Sequence, residues 1–209
     1  MCGIGGVMMF PKNRSAEELQ FIRLLATGIA VENQRRGRDS TGFVTFSPQL
    51  FNLFKHPMKA DTMIETAPFK QYIRRAINRN TKNVLIHTRA GTKGSEQNNL
   101  NNHPIESRHY IGVHNGMIHN DDMLFKKHNL FRAAEVDSEV IFRLLDTRGD
   151  AVDDEGLKFV AEELSGAFTT AFVPKKDKNK MFLIRNDNPV TLFYIPSLNI
   201  IAFASIDNY

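Results

Sequence analysis

At 209 residues, with 42% hydrophobic and 24% charged side chains, the chain is sized for one substantial core or two small ones and has neither a collagen-like nor a disordered bias. No apolar run approaches the ~20 residues needed to span a bilayer, and the opening MCGIGGVMMF lacks a basic leader, so neither a membrane span nor a secretory signal is expected. The net charge of +4 is spread along the chain without the interleaved aromatics of a nucleic-acid-binding face, and a single cysteine excludes an intramolecular disulfide and suits the cytoplasm.

In chain order, residues 2–10 read as a glycine-softened apolar strand. Ser15 is an N-cap for a helix running to Asn33, with Leu19, Ile22, Leu25 and Ile29 on its apolar side and Glu17 and Glu18 favouring its first turn. Short strands are expected at 41–46 and 50–54, a helix at 67–79 and a buried strand at 83–88. The polar stretch 89–108 has no periodicity, and a loop of that length inside a compact domain is usually functional. A strand at 109–114 then runs into Asn115-Gly116, a turn signal in its own right. Helices at 138–146 and 154–164 precede strands at 167–173, 181–185, 191–195 and 200–204. No repeat or linker divides residues 1–209, so one domain is expected. Strands, helices, strands, helices, strands is not a βαβ alternation; it suits an α+β arrangement of two mostly antiparallel sheets packed together with helices outside.

The one cysteine follows the initiator Met. With Met1 removed, Cys2 would carry its own α-amine, of pKa about 7.7–8.0, beside its thiol. Nucleophile and base would then reside in one residue. Cys2-Gly3-Ile4-Gly5-Gly6 leaves the backbone around that thiol open to close approach. Further on come Arg36-Gly37-Arg38-Asp39-Ser40-Thr41-Gly42, His87-Thr88-Arg89-Ala90-Gly91-Thr92, Asn102-His103-Pro104, His114-Asn115-Gly116-Met117 and Val136-Asp137-Ser138-Glu139.

These segments, in this order and ending at Phe203-Ala204-Ser205, resemble the class II glutamine amidotransferase domain, an N-terminal nucleophile hydrolase found in glucosamine-6-phosphate synthase and amidophosphoribosyltransferase. The resemblance covers nearly the whole chain and implies a four-layer αββα sandwich. It also assigns roles. Cys2 would attack the side-chain amide of glutamine, and Asn115 and Gly116 would form the oxyanion hole. Arg89, supported by Thr92, would bind the α-carboxylate, where a guanidinium fork is geometrically suited, and Asp137 would take the α-ammonium. No cofactor and no metal is implied. His87, His103, His114 and His119 read as structural or loop residues, since no Cys or paired carboxylate completes a zinc set. Residues 36–42 are expected to wall the nucleophile.

Two departures stand out. Ala90-Gly91 separates the Arg from the Thr where the synthase branch has an aromatic and an Ala, and Lys93 stands where that branch has His. In addition, no sugar-isomerase or phosphoribosyl-binding segment follows, so the expectation is either a separate synthetase or transferase as the ammonia acceptor or a stand-alone amidohydrolase. A hydrolase of another γ-glutamyl amide, or a catalytically silent glutamine-binding or scaffolding module, would share the same residues up to Cys2's role.

Overall fold

The computed structural model describes residues 1–205. Among these residues, ten strands form two antiparallel sheets. The six-stranded sheet runs β3-β2-β4-β1-β10-β9, with β1 at Gly3–Met9, β2 at Ser40–Phe46, β3 at Phe51–His56, β4 at Asn83–Arg89, β9 at Thr191–Ile195 and β10 at Ile200–Ala204. The four-stranded sheet runs β5-β6-β7-β8, with β5 at Ile105–Glu106, β6 at Tyr110–Gly116, β7 at Phe168–Pro174 and β8 at Phe182–Asn186.

Alternation along each strand sorts the side chains into layers. Val7, Phe43, Ile86 and Ala202 point from the larger sheet into a core built with helix α1 (Ala16–Asn33), α2 (Ala60–Glu65) and α3 (Ala67–Ala76). Tyr110 and Phe172 point from the smaller sheet toward α4 (Asp121–Lys127), α5 (Glu139–Thr147) and α6 (Asp154–Glu163). The opposite faces meet in a third cluster that includes Ile4, Val44, Leu85, Val113 and Ala171. The result is helices, sheet, sheet, helices, the four layers expected.

The first helix begins where its cap requires. Ser15 accepts from the Glu18 N–H while Glu18 reaches back to the Ser15 N–H, a reciprocal capping box. The short helices α2 and α4 had no sequence expectation; neither has a side-chain cap bond to announce it. The helix expected to reach residue 79 ends at Ala76.

Asn115-Gly116 corrects the turn reading. Both residues stay in β6, paired with Thr169 and Phe168, and the chain leaves the sheet only beyond them. Ladder pairing overrides the dipeptide's local preference, and Gly116 absorbs the exit bend at φ +139°, a backbone region that strains other residues. Among the described residues, no helix is long and apolar enough to cross a membrane.

Candidate active site

The layer between the sheets changes character along its length. Continuing the alternation from Ile4 to Cys2, from Val44 to Ser40, from Leu85 to His87 and Arg89, and from Val113 to Asn115 carries it from apolar to polar at the end where β1 begins and β4 and β6 finish. The candidate residues collect there because strand pairing places Gly3 opposite Thr88 and Ser40 opposite Arg89.

Cys2 lies partly buried against the backbone just past β4. Its Sγ is 3.4 Å from the Ala90 N–H, which donates to it, and 3.6 Å from the Ala90 carbonyl. Burial pushes the thiol pKa up; the Ala90 N–H, the N-terminal charge and Arg89 pull it down, and Asp137 adds to the rise. Arg89 and Asp137 therefore both lie within electrostatic reach of the sulfur. The segment around Cys2 is held from three directions. Arg36 Nε donates to the Cys2 carbonyl at 2.9 Å, Asn33 Nδ2 donates to the Ile4 carbonyl at 3.0 Å, and Ser205 Oγ accepts from the Ile4 N–H at 2.8 Å. Asp39 receives the Gly91 N–H at 2.6 Å, so residues 36–39 form a wall that braces both the nucleophile and the loop after β4.

Asn115 is fully buried, and among the described residues neither its Oδ1 nor its Nδ2 has a hydrogen-bond partner. A buried amide left so costs about 1–3 kcal/mol, a cost that functional sites tolerate and cores do not. The Met117 N–H donates to the Ala167 carbonyl at 3.1 Å, which makes Gly116–Phe168 a pair that exchanges no ladder bonds. The Gly116 N–H thus points away from β7.

Arg89 is buried and holds a loop. Its Nη2 donates to the carbonyls of Lys93 at 2.8 Å and Gly94 at 2.6 Å, and its Nη1 to Asn102 Oδ1 at 3.3 Å. Its Nε–H and second Nη1–H carry no hydrogen bond among the described residues. Asp137 Oδ2 accepts the Ile118 N–H at 2.7 Å and its Oδ1 accepts the Ser138 N–H at 2.9 Å, which aims the carboxylate beside the end of β6. Thr92 is exposed, and its hydroxyl makes no hydrogen bond among the described residues. Lys93 bridges to Asp121 at 2.6 Å and to Asp122 at 3.3 Å, and Arg132 engages the same two carboxylates.

Three of the four histidines read separately from sequence come together behind Asn115. The His87 and His103 rings stack at 4.1 Å, His103 and His114 lie 6.4 Å apart, and His119 is exposed. His87 Nε2 lies 3.0 Å from the His114 carbonyl, which can only accept, so this nitrogen carries the proton and ties β4 to β6 across the layer. Burial drives the His87 pKa down to about 3 and holds His103 and His114 below the ordinary imidazole range, so all three are neutral near pH 7. The backbone of His103 and Pro104 packs on β2 at Gly42, where any Cβ would collide with the His103 carbonyl. Among the described residues no group of three or more His, Cys, Asp and Glu is arranged to hold a metal ion.

Sequence reasoning missed Asn188. Its Nδ2 donates to the Asn115 carbonyl at 2.9 Å and to the Ala167 carbonyl at 3.1 Å, from a connection 73 residues away along the chain. Nothing local in Asp187-Asn188-Pro189 signals that role.

Comparison with known proteins fits this geometry. The 7-cyano-7-deazaguanine synthase of Saccharolobus solfataricus is 30% identical over 214 residues, covering 100% of this chain and 44% of that protein. The isomerizing glutamine–fructose-6-phosphate aminotransferase of Thermococcus kodakarensis is 31% identical over 165 residues, 75% of this chain and 26% of that one. The chain therefore spans less than half the length of these relatives. The structure of the glutamine phosphoribosylpyrophosphate amidotransferase of B. subtilis superposes with a TM-score of 0.70 at 17% identity, over 98% of this chain and 42% of that chain, and shares the N-terminal nucleophile hydrolase fold. With the family model for the glutamine amidotransferase domain matching residues 87–209, well over half of its length, this chain belongs to the glutamine amidotransferase domain family.

Proposed function

We propose that residues 1–209 act as one catalytic domain that hydrolyses the side-chain amide of glutamine through Cys2 and delivers the ammonia to an acceptor synthetase or transferase. The observation that carries this reading is Asn115: a fully buried amide with both polar atoms unpartnered among the described residues, at the polar end of the layer that Cys2 enters.

The chemistry follows from the groups at that end. Removal of Met1, which is exposed, frees the α-amine of Cys2. The thiol, held protonated by burial, passes its proton to that amine as sulfur bonds to the δ-carbon of glutamine. The carbonyl oxygen becomes an oxyanion received by Asn115 Nδ2 and the Gly116 N–H, both carried at the end of β6. Collapse breaks the carbon–nitrogen bond, the α-ammonium returns its proton to the leaving nitrogen, and ammonia departs from a γ-glutamyl thioester. Water, deprotonated by the same amine, then releases glutamate and restores the thiol. Asp137 has acceptor capacity left for the substrate's α-ammonium, and the Arg89 guanidinium, which keeps a donor free of the loop, is available to its α-carboxylate, with Thr92 at the loop edge.

The test is intact mass before and after 6-diazo-5-oxo-norleucine, alongside glutamate release. Loss of Met1, one adduct on Cys2 and glutamate production that vanishes in Cys2→Ala are expected. A retained Met1 with no adduct would replace this reading with a silent glutamine-binding or scaffolding module. An adduct without glutamine turnover, but with release from another γ-glutamyl amide, would reassign the leaving group.

A further inference from the structure

The proposed oxyanion hole depends on the orientation of one peptide unit, the Asn115 carbonyl with the Gly116 N–H. In a trans peptide the two point in opposite directions, so whatever fixes the carbonyl aims the N–H. The β6–β7 ladder constrains this unit close to its end, with one further backbone bond from the Met117 N–H to the Ala167 carbonyl at 3.1 Å, and Gly116 is a residue with the freedom to let the peptide rotate.

We infer that Asn188 is a positioning residue for this reaction, its side-chain amide locking the Asn115–Gly116 peptide so that the Gly116 N–H faces the substrate oxygen; the inference rests on the glutaminase reading above. The geometry is specific. Asn188 Nδ2 spends its two hydrogens on the Asn115 carbonyl at 2.9 Å and the Ala167 carbonyl at 3.1 Å, bridging the two strands where their pairing ends. The donor is itself immobilised. The Asn188 carbonyl accepts from Thr169 Oγ1 at 2.8 Å and from Arg185 Nε at 3.0 Å, and the Asn188 N–H returns to the Asn186 carbonyl at 3.0 Å. The bend that delivers it places Asp187 at φ +68°, a left-handed conformation that Asp tolerates better than most residues. A side chain at position 116 would meet the Ala167 carbonyl at 2.2 Å from an ideal Cβ and Asn188 Nδ2 at 2.7 Å, so the carbonyl and the amide that bonds it together leave room only for glycine at the donor position. Asn188 is nearly buried and sits behind the peptide, on its carbonyl side, which makes it a support of the hole and not a donor into it.

Two variants test this against a general loosening of the fold. Asn188→Ala removes the donor; Asn188→Asp keeps the shape but sets a carboxylate against two carbonyls. Each should lower kcat for glutamine by roughly 10- to 100-fold, part of the ~10²–10³ that loss of an oxyanion donor costs. KM and the rate of Cys2 alkylation by iodoacetamide should stay within about twofold of wild type, because neither substrate clamp nor thiol has been touched. An unchanged kcat in the folded Ala variant would overturn the inference, as would kcat, KM and alkylation all shifting together. If the wild-type protein neither releases glutamate nor takes the diazo-norleucine adduct, the glutaminase reading has failed, a result separate from wild-type turnover with indifferent Asn188 variants.

Discussion

The two ends of the layer between the sheets are made by the same strands and the same alternation, yet they do opposite things. At one end Val44, Leu85, Val113 and Ala171 interdigitate as an apolar sandwich core, with a buried amide at its edge, Asn83, whose Nδ2 donates to the Lys178 carbonyl at 2.7 Å. At the other, two to four residues along β2, β4 and β6, Ser40, His87 and Asn115 are buried, with His103 stacked on His87 from the loop and His114 on the opposite face of β6. Each of these has at least one polar side-chain atom without a hydrogen-bond partner among the described residues. The first end is where burial stabilises the fold; the second is where stability has been given up so that a donor can stand ready in a dry site. Rigidity for the second comes from the first, since both lie on continuous strands. Substitutions at the two ends should therefore separate stability from activity in opposite directions.

The sharpest separation pairs Asn115→Ala with Leu85→Ala. Losing the Asn115 amide should lower kcat by ~10²–10³, the range for an oxyanion donor. Its melting temperature should be unchanged or raised, because a buried group that has no partner is removed with it. Leu85 is fully buried in the apolar end, and its truncation should cost about 2–5 kcal/mol of stability while activity per folded molecule is retained. Denaturation curves and kinetics on the same preparations decide the matter. If Asn115→Ala melted lower and kept its kcat, the polar end would be an extension of the core and the comparison would collapse.

Acid should attack the polar end next. His87, His103 and His114 all have folded-state pKa values below that of a free imidazole, which is about 6.5. Above that value they cost nothing. Below it the unfolded chain binds protons that the native state refuses, so stability falls as pH drops from about 6.5 toward 3, the value to which burial brings His87. Each such histidine contributes a slope of up to about 1.4 kcal/mol per pH unit. Urea midpoints between pH 7 and 5, a window above most carboxylate titration, should show unfolding accompanied by the uptake of up to three protons. His103→Phe preserves the stack on His87 and should remove close to one of them, whereas Leu85→Ala should leave the slope alone. A His103→Phe slope equal to wild type would exclude that ring from the acid response.

Much of the framework was legible because it is local. Alternation marked the strands, and Ser15 with Glu18 marked the start of α1. The short α2 and α4, without side-chain caps, left no comparable sign. Motif order assembled the candidate residues, but their partners depend on distant pairing. Asn115-Gly116 reads as a turn until β7 is known to lie alongside it, and Asn188 is mute until the carbonyl it meets is identified. Arg89 was legible as a fork; that three of its donors hold a loop depends on the path of residues 93–102, which no periodicity describes.

That loop carries the smallest of the expected effects. Lys93 anchors it through Asp121, while the Lys93 and Gly94 carbonyls beside that anchor fix the Arg89 guanidinium. Asp121 is nearly buried but keeps Arg132 at 2.9 Å when Lys93 is gone, so Lys93→Ala strands no buried charge. The half-exposed ion pair is worth under about 1 kcal/mol, which caps the loss in glutamine affinity at roughly fivefold. KM should rise by up to that factor with kcat nearly unchanged, and wild-type KM should drift the same way as salt is raised toward about 0.5 M and screens the pair. A fall in kcat with KM constant would instead place Lys93 in the chemistry. The loop would then belong with Asn115, among the groups that stability has been given up to hold.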